Sequence, residues 1–250
     1  MAHRGGAHLP ANIGLENSML AFGNAVALGY RYLETDVRAT ADGVALAFHD
    51  DRLDRVSDGS GRIDRLPFSV VRRLRIGGRE PIPTVEELLD AWPDVRVNLD
   101  VKHASSVGPL VRAVLRSRAL DRVCVASFSD ARLADVRRRL GPRLCTSFGP
   151  RPALLLRLAA SLPGAAGSLI ASLLPRGVAL AHLPLTIAGA RFLTPALIVA
   201  AHEHGIAVHA WTVDEAADMR ALLAARVDGV ITDRPDTLRA VMLERGLWRG

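Results

Sequence analysis

The sequence predicts a (β/α)8 TIM barrel with a small insertion after its second strand and an apolar helical insertion near residues 153–175. Three observations carry this. Short β-type runs alternate with amphipathic helical runs along the whole length, the pattern of parallel strands joined by crossover helices. The β-type runs number eight, at 2–5, 31–37, 95–101, 122–127, 143–148, 178–183, 206–212 and 228–232, which is the count that closes a barrel. The alternative, an open doubly wound sheet, lacks its dinucleotide fingerprint, because no GxGxxG follows the first strand. At 250 residues the chain has the length of one such barrel, so residues 1–250 are expected to form a single domain.

The helices announce their ends. Residues 16–28 place Met19, Phe22 and Val26 on one face and stop at Gly29. An extra short strand at 43–48 follows the turn dipeptide Asp42-Gly43 and opens the first insertion. Thr84 and Glu87 have capping-box spacing ahead of Leu88 and Leu89. Ser129 precedes a stripe of Leu133, Val136 and Leu140. Thr194-Pro195 reads as an N-cap followed by a first-turn proline, with Gly205 ending that helix. Asp214 precedes Met219, Leu222 and Leu223, and Asp236 is expected to cap a last helix that turns Leu238, Val241 and Met242 inward before Gly246. The run 153–175 is strongly apolar, but Arg157, Pro163, Gly164 and Gly167 interrupt it. It therefore predicts an extended barrel helix with an inserted helical cap able to touch lipid or an acyl chain, and not a membrane span.

Composition narrows the function classes. Apolar residues make up 49% of the chain and charged residues 23%, as in a soluble globular protein. The net charge of +6 would suit an anionic partner, yet the arginines are scattered. The run Arg137-Arg138-Arg139 sits late in a helix, where it complements the dipole, and no nucleic-acid-binding motif accompanies it, so nucleic acid is not an expected partner. Cys124 and Cys145 lie in strand-like runs without metal-type spacing and are expected to be buried free thiols. No secretory signal precedes His3, so a cytoplasmic location is expected. The sequence leaves the oligomeric state open.

The chemistry gathers at strand ends. In Leu33-Glu34-Thr35-Asp36-Val37, side chains two apart share a face, so Glu34 and Asp36 point together while Leu33, Thr35 and Val37 face the helices. Adjacent carboxylates inside a barrel resist joint ionisation unless a cation compensates. In Asn98-Leu99-Asp100-Val101-Lys102 the same period turns Asn98, Asp100 and Lys102 inward. Lys102 is the only lysine in the chain. Three carboxylates are hard oxygen donors, suited to Mg2+, Ca2+ or Mn2+. Arg4 offers a fork for phosphate oxygens. His3 and His49, each at a strand end, are candidates for a general acid and a general base. All lie where barrel active sites lie, at the carboxyl ends of strands.

These residues resemble the glycerophosphodiester phosphodiesterases. His3-Arg4-Gly5 with Glu16-Asn17-Ser18 is similar to the family's first signature. Residues 33–38 with Asp42-Gly43 and Phe48-His49-Asp50 are similar to its second, and 98–102 to its third-strand motif. Trp211-Thr212-Val213-Asp214 and residues 228–235 are similar to its last two. The resemblance implies metal-dependent hydrolysis of a small-molecule glycerophosphodiester to glycerol phosphate and an alcohol. It implies Glu34, Asp36 and Asp100 as metal ligands, Arg4 and Lys102 on the phosphate, His3 and His49 in proton transfer, and Trp211 lining the pocket. A substrate hydroxyl would attack first, giving a cyclic phosphate that water opens. The chain departs from the family in three places. Asp100 stands where Glu is usual, the spacing from His3 to Glu16 is longer, and only Met1 and Ala2 precede His3.

Two competing readings follow. One keeps the fold and the metal but takes a lysophospholipid or sphingolipid, cleaved in the manner of lysophospholipase D or sphingomyelinase D. It rests on the apolar 153–175 segment, which would also make a peripheral lipid contact. The other is a non-catalytic phosphate-binding barrel, motivated by Asp100 and the short first strand. The presence of both histidines and all three carboxylates argues against it.

Overall fold

Eight strand positions close into one ring in the computed structural model, which describes residues 1–162 and 164–249. In chain order the strands are β1 (Tyr32–Ala39), β2 (Ala45–Ala47), β3 (Arg75–Ile76), β4 (Glu80–Pro81), β5 (Arg96–Val101), β6 (Val123–Ala126), β7 (Cys145–Thr146), β8 (Leu180–Pro184), β9 (Thr186–Ile187), β10 (Ala190–Arg191), β11 (Ala207–Trp211) and β12 (Gly229–Val230). The helices are α1 (Met19–Ala27), α2 (Phe68–Val71), α3 (Val85–Ala91), α4 (Val107–Arg116), α5 (Asp130–Leu140), α6 (Pro150–Ala159), α7 (Gly164–Ala171), α8 (Pro195–Glu203), α9 (Ala216–Ala224) and α10 (Pro235–Glu244).

The ring runs β1, β5, β6 and β7 in parallel, then β8, β11 and β12 in parallel. Two short links complete it. Phe148 N donates to Leu180 O at 2.8 Å, joining the end of β7 to β8. Ala2 forms parallel bridges to both Leu33 and Thr232, filling the gap between β12 and β1. The expected strand at 2–5 thus shrinks to Ala2. His3–Gly5 turn at once into a 3-10 segment, with Arg4 at φ 51°. Gly5 permits that turn, because a Cβ there would meet the Ala21 backbone at 2.8 Å.

Packing follows the period. Leu33, Thr35, Val37, Leu99 and Val101 are buried against the helix layer. The predicted capping box at Thr84 and Glu87 is present, as are side-chain caps at Ser129 and Thr194. Other boundaries move. The helix expected at 16–28 starts at Met19, with Ser18 as its cap, because Glu16 and Asn17 are drawn into the site described below. Glu215, not Asp214, precedes α9. Asp236 lies inside the first turn of α10, paired with Arg234, and does not cap it.

The two stretches expected as insertions each form local structure of their own. Between β2 and α3 the chain forms its own small core of Leu46, Phe48, Leu53, Ile63, Val71, Ile76 and Ile82, with Leu15 added from the first loop. The apolar 153–175 run becomes the rest of α6 and a second helix, α7; Pro163, one of its expected interruptions, lies outside the described residues. Among the described residues no helix is long and apolar enough to cross a membrane. The cysteines correct the expectation of burial. They face each other in register on β6 and β7 as free thiols, Cys124 half-buried and Cys145 exposed at the start of a two-residue strand.

Candidate active site

All eight residues singled out in the sequence line one cavity of about 700 Å³ at the carboxyl ends of the strands: His3, Arg4, Glu34, Asp36, His49, Asp100, Lys102 and Trp211. The register explains the carboxylate cluster. Glu34 lies opposite Asn98 and Asp36 opposite Asp100 on the parallel pair β1 and β5, so the alternation that turns one inward turns the others inward too. All three acids are buried, Asp36 to 1% exposure.

Their neutralisation is uneven. Lys102 Nζ sits 2.8 Å from Asp36 Oδ1 and 2.6 Å from Asp100 Oδ2. Arg4 Nε is 3.1 Å from Asp36 Oδ2. Burial opposes ionisation of Asp36, but Lys102 and Arg4 outweigh it and hold that carboxyl below its ordinary range. Glu34 has no such pair. Burial, with Asp36 and Asp100 nearby, pushes it up to about 7 against the pull of His3 and Lys102. Asp100 Oδ1 is buried without a hydrogen-bond partner. An under-neutralised carboxylate and an orphaned carboxylate oxygen in one cluster are the donor set a hard divalent cation would satisfy. A different set, His8, Asp214 and Asp233, also brings ligand atoms within 4.8 Å of one another. There, however, His8 is exposed and Asp233 is already engaged by His3.

The two histidines are held alike. His3 Nδ1 lies 2.8 Å from Asp233 Oδ1, and His49 Nδ1 lies 2.6 Å from Asp50 Oδ1. In each case a carboxylate takes Nδ1 and anchors the ring, which leaves Nε2 to meet a second partner. His3 Nε2 is 3.7 Å from Glu34. Burial works against a proton on His3, yet Glu34 and Asp233 outweigh it and raise its pKa. Burial also opposes ionisation of Asp50, but Arg55 and His49 prevail and lower it to about 2.

A chain of charges then links the histidine side to the arginine side. Arg55 donates to Asp50 Oδ2 at 2.6 Å and, across 39 residues of sequence, to both oxygens of Glu16 at 2.7 and 2.8 Å. Glu16 in turn accepts from Arg4 Nη1 at 3.1 Å. Asn17, at φ 60°, donates to Asp36 Oδ2 and accepts from Thr35 Oγ1. Arg4 and Asn17 are two of the few non-glycine residues with left-handed backbone, and both aim polar groups at Asp36. Sequence reasoning missed Asp50, Arg55 and Asp233 as partners. Asp50 and Asp233 stand inside the motifs it quoted, but nothing in the sequence signals Arg55.

Comparison with known proteins points to one family. The sequence model of the Glycerophosphoryl diester phosphodiesterase family matches residues 3–237. A Mycobacterium tuberculosis protein named probable glycerophosphodiester phosphodiesterase 2 is 45% identical over 252 residues, spanning 100% of this chain and 92% of that protein. A glycerophosphodiester phosphodiesterase of Caldanaerobacter subterraneus is 28% identical, spanning 95% of each. A crystal structure from Silicibacter pomeroyi, described within the same family, superposes with a TM-score of 0.81 at 26% identity, covering 99% of this chain and 94% of that one.

Proposed function

The chain belongs to the glycerophosphoryl diester phosphodiesterase family, and from that premise we propose that it hydrolyses glycerophosphodiesters to glycerol phosphate and an alcohol at the cavity between β1, β5 and β11. It is a phosphoric diester hydrolase on a TIM barrel. The observation that carries the assignment of roles is the sorting of one cavity into three carboxylates, two cations and two carboxylate-held imidazoles.

Glu34, Asp36 and Asp100 would hold a divalent cation, Mg2+ or Ca2+ and by donor type also Mn2+. Once bound, that ion supplies Lewis-acid neutralisation of a non-bridging phosphoryl oxygen. The remaining work falls to side chains. Arg4 and Lys102 meet the other phosphoryl oxygens and stabilise the charge that builds on them. In exchange they loosen their hold on Glu16, Asp36 and Asp100. His3 and His49, anchored through Nδ1, exchange protons at Nε2 with the attacking and leaving oxygens. Trp211, at the end of β11 and edge-on to Phe128 at 5.5 Å, closes the wall beside the substrate.

The direct test is a substrate panel of glycerophosphocholine, glycerophosphoethanolamine and glycerophosphoinositol, with Mg2+, Ca2+, Mn2+ or EDTA. Glycerol phosphate is measured by a coupled dehydrogenase. Metal-dependent release from at least one member is expected. Release from none under any ion sinks the assignment.

A further inference from the structure

The chain has two cysteines, and the fold sets them side by side below the site. Cys124 on β6 and Cys145 on β7 are register partners in a parallel pair. Neighbouring strands lie about 4.8 Å apart, inside the roughly 4.4–6.8 Å that a disulfide spans between Cα atoms. The side chains also share a direction. The period of two that turns Ala126 and Ser147 into the cavity turns Cys124 and Cys145 inward as well, one step nearer the amino-terminal end of the barrel. A disulfide needs that common direction as much as it needs the distance.

The two sulfurs are unlike. Cys145 is exposed and Cys124 is half-buried. The Cys124 thiol donates to Cys145, which lowers Cys145 to about 7 although burial opposes it. The same hydrogen bond, together with burial, holds Cys124 up as the protonated partner. An exposed thiol that ionises near neutrality beside a second thiol is the pairing of an attacking and a resolving cysteine. The strand β7 gives that pair something to act on. It is two residues long and is the edge strand of its five-stranded sheet. Beyond it the ring closes onto β8 through the bond from Phe148 N to Leu180 O. The barrel wall is thinly laddered here, so a covalent tie to β6 adds hold where the ladder is short.

We propose that Cys124 and Cys145 form a peroxide-sensitive modification site, whose disulfide staples β7 to β6 and stiffens the β7–β8 seam of the ring. The Cys145 thiolate attacks one oxygen of hydrogen peroxide. The O–O bond breaks, a sulfenic acid forms on Cys145, and the other oxygen takes up the proton that Cys145 released and leaves as water. Cys124 then attacks the Cys145 sulfur. The S–O bond breaks, the S–S bond forms, and the sulfenic oxygen leaves with the Cys124 proton as a second water. Two thiols thus lose two electrons and two protons, and one peroxide becomes two waters. A dithiol reductant reverses the change. The step draws on neither metal nor phosphodiester.

The test treats the full chain with a few equivalents of hydrogen peroxide and compares it with protein kept in dithiothreitol. The intact mass is expected to fall by about 2 Da, and both thiols are expected to be lost to titration. Proteolysis without reductant should yield a peptide pair joining Cys124 to Cys145, which dithiothreitol separates. The closed loop is about 20 residues, so the thermal midpoint should rise by roughly 5–10 °C. Hydrogen exchange at the Phe148 amide should slow. Cys145→Ser, at the exposed position, abolishes all four changes. Cys124→Ser leaves the sulfenic acid on Cys145 unresolved, and dimedone captures it there. Two free thiols after treatment, a sulfinic acid on Cys145 with Cys124 untouched, or a disulfide formed only between two chains overturns the site. So does a midpoint shift that persists in Cys145→Ser. A disulfide within the chain that moves neither the midpoint nor the Phe148 exchange overturns the staple.

Discussion

His3 Nδ1 and Asp233 Oδ1 stand 2.8 Å apart although 230 residues separate them in sequence. The contact exists because the ring closes there. Ala2 bridges Thr232, which places the first turn of the chain directly against the last strand's exit. In the proposed mechanism Asp233 orients the His3 ring and does not contact the phosphate. Asp233→Asn keeps the shape and removes the charge. Its expected effect is a fall in kcat of about 10- to 100-fold, the range for a lost orienting partner, with KM little changed. Steady-state kinetics on glycerophosphocholine checks it, and a loss confined to KM would place Asp233 in substrate binding instead.

His49 carries the other proton transfer in this scheme, and its support is layered. His49→Ala should cost about 10²–10⁴ in kcat. Arg55→Ala should cost less, about tenfold, because it releases Asp50 and Glu16 and leaves His49 itself in place. Arg55 is 48% exposed on its side chain. Its ion pairs are thus largely screened, and removing it should move stability by no more than about 1 kcal/mol. A variant that loses activity while its thermal midpoint holds separates positioning from folding. A wild-type rate in His49→Ala would remove that residue from the chemistry.

How much of this was legible beforehand depends on the range of the interaction. Glu34, Asp36, Asp100 and Lys102 follow from strand period alone, because β1 and β5 pair in the register that puts Asp36 opposite Asp100. The capping box at Thr84 is equally local. Contacts that depend on how loops return could not be read. The Arg55 link to Glu16 spans 39 residues through a loop with no period. The sequence predicts a longer first strand than forms, because Gly5 and Gly6 both take positive φ and end it at Ala2. The apolar neighbours of the two cysteines predict burial, but the exposure of Cys145 is set by the brevity of β7.

Metal dependence has a structural readout as well as a catalytic one. Glu34 is pushed up to about 7 by burial and by the neighbouring carboxylates, so the cluster repels itself without a cation. EDTA should abolish activity, and Mg2+ or Ca2+ should restore it. Either ion should also raise the thermal midpoint by mass action, by about 2.7 kcal/mol of stability at a hundredfold excess over Kd. Asp100→Asn should weaken that midpoint shift while Asp100→Glu preserves it. Calorimetry with and without ion decides between them, and full activity in a chelated sample would end the metal assignment.

His182 and His209 predict an acid-labile barrel. Their rings stack at 5.1 Å inside the ring of strands, where burial lowers His182 from 6.5 to about 3 and His209 to about 4. A folded pKa below the unfolded one means that the unfolded chain binds more protons between those values. Stability is then complete above pH 6.5 and is lost as pH falls toward 3–4, at about 1.4 kcal/mol per pH unit for each ring. Glu34 acts in the opposite sense over part of the same window. Its pKa is raised to about 7 from 4.5, so acid favours its folded form. Comparison with His182→Gln cancels that common term. The variant lacks one buried imidazole, so its stability should fall less steeply from pH 6.5 to 4.5, and the gap between the two proteins should shift in its favour as pH drops. Denaturant melts at pH 7, 6 and 5 measure the slopes. Parallel lines would show that His182 does not titrate on unfolding in this range.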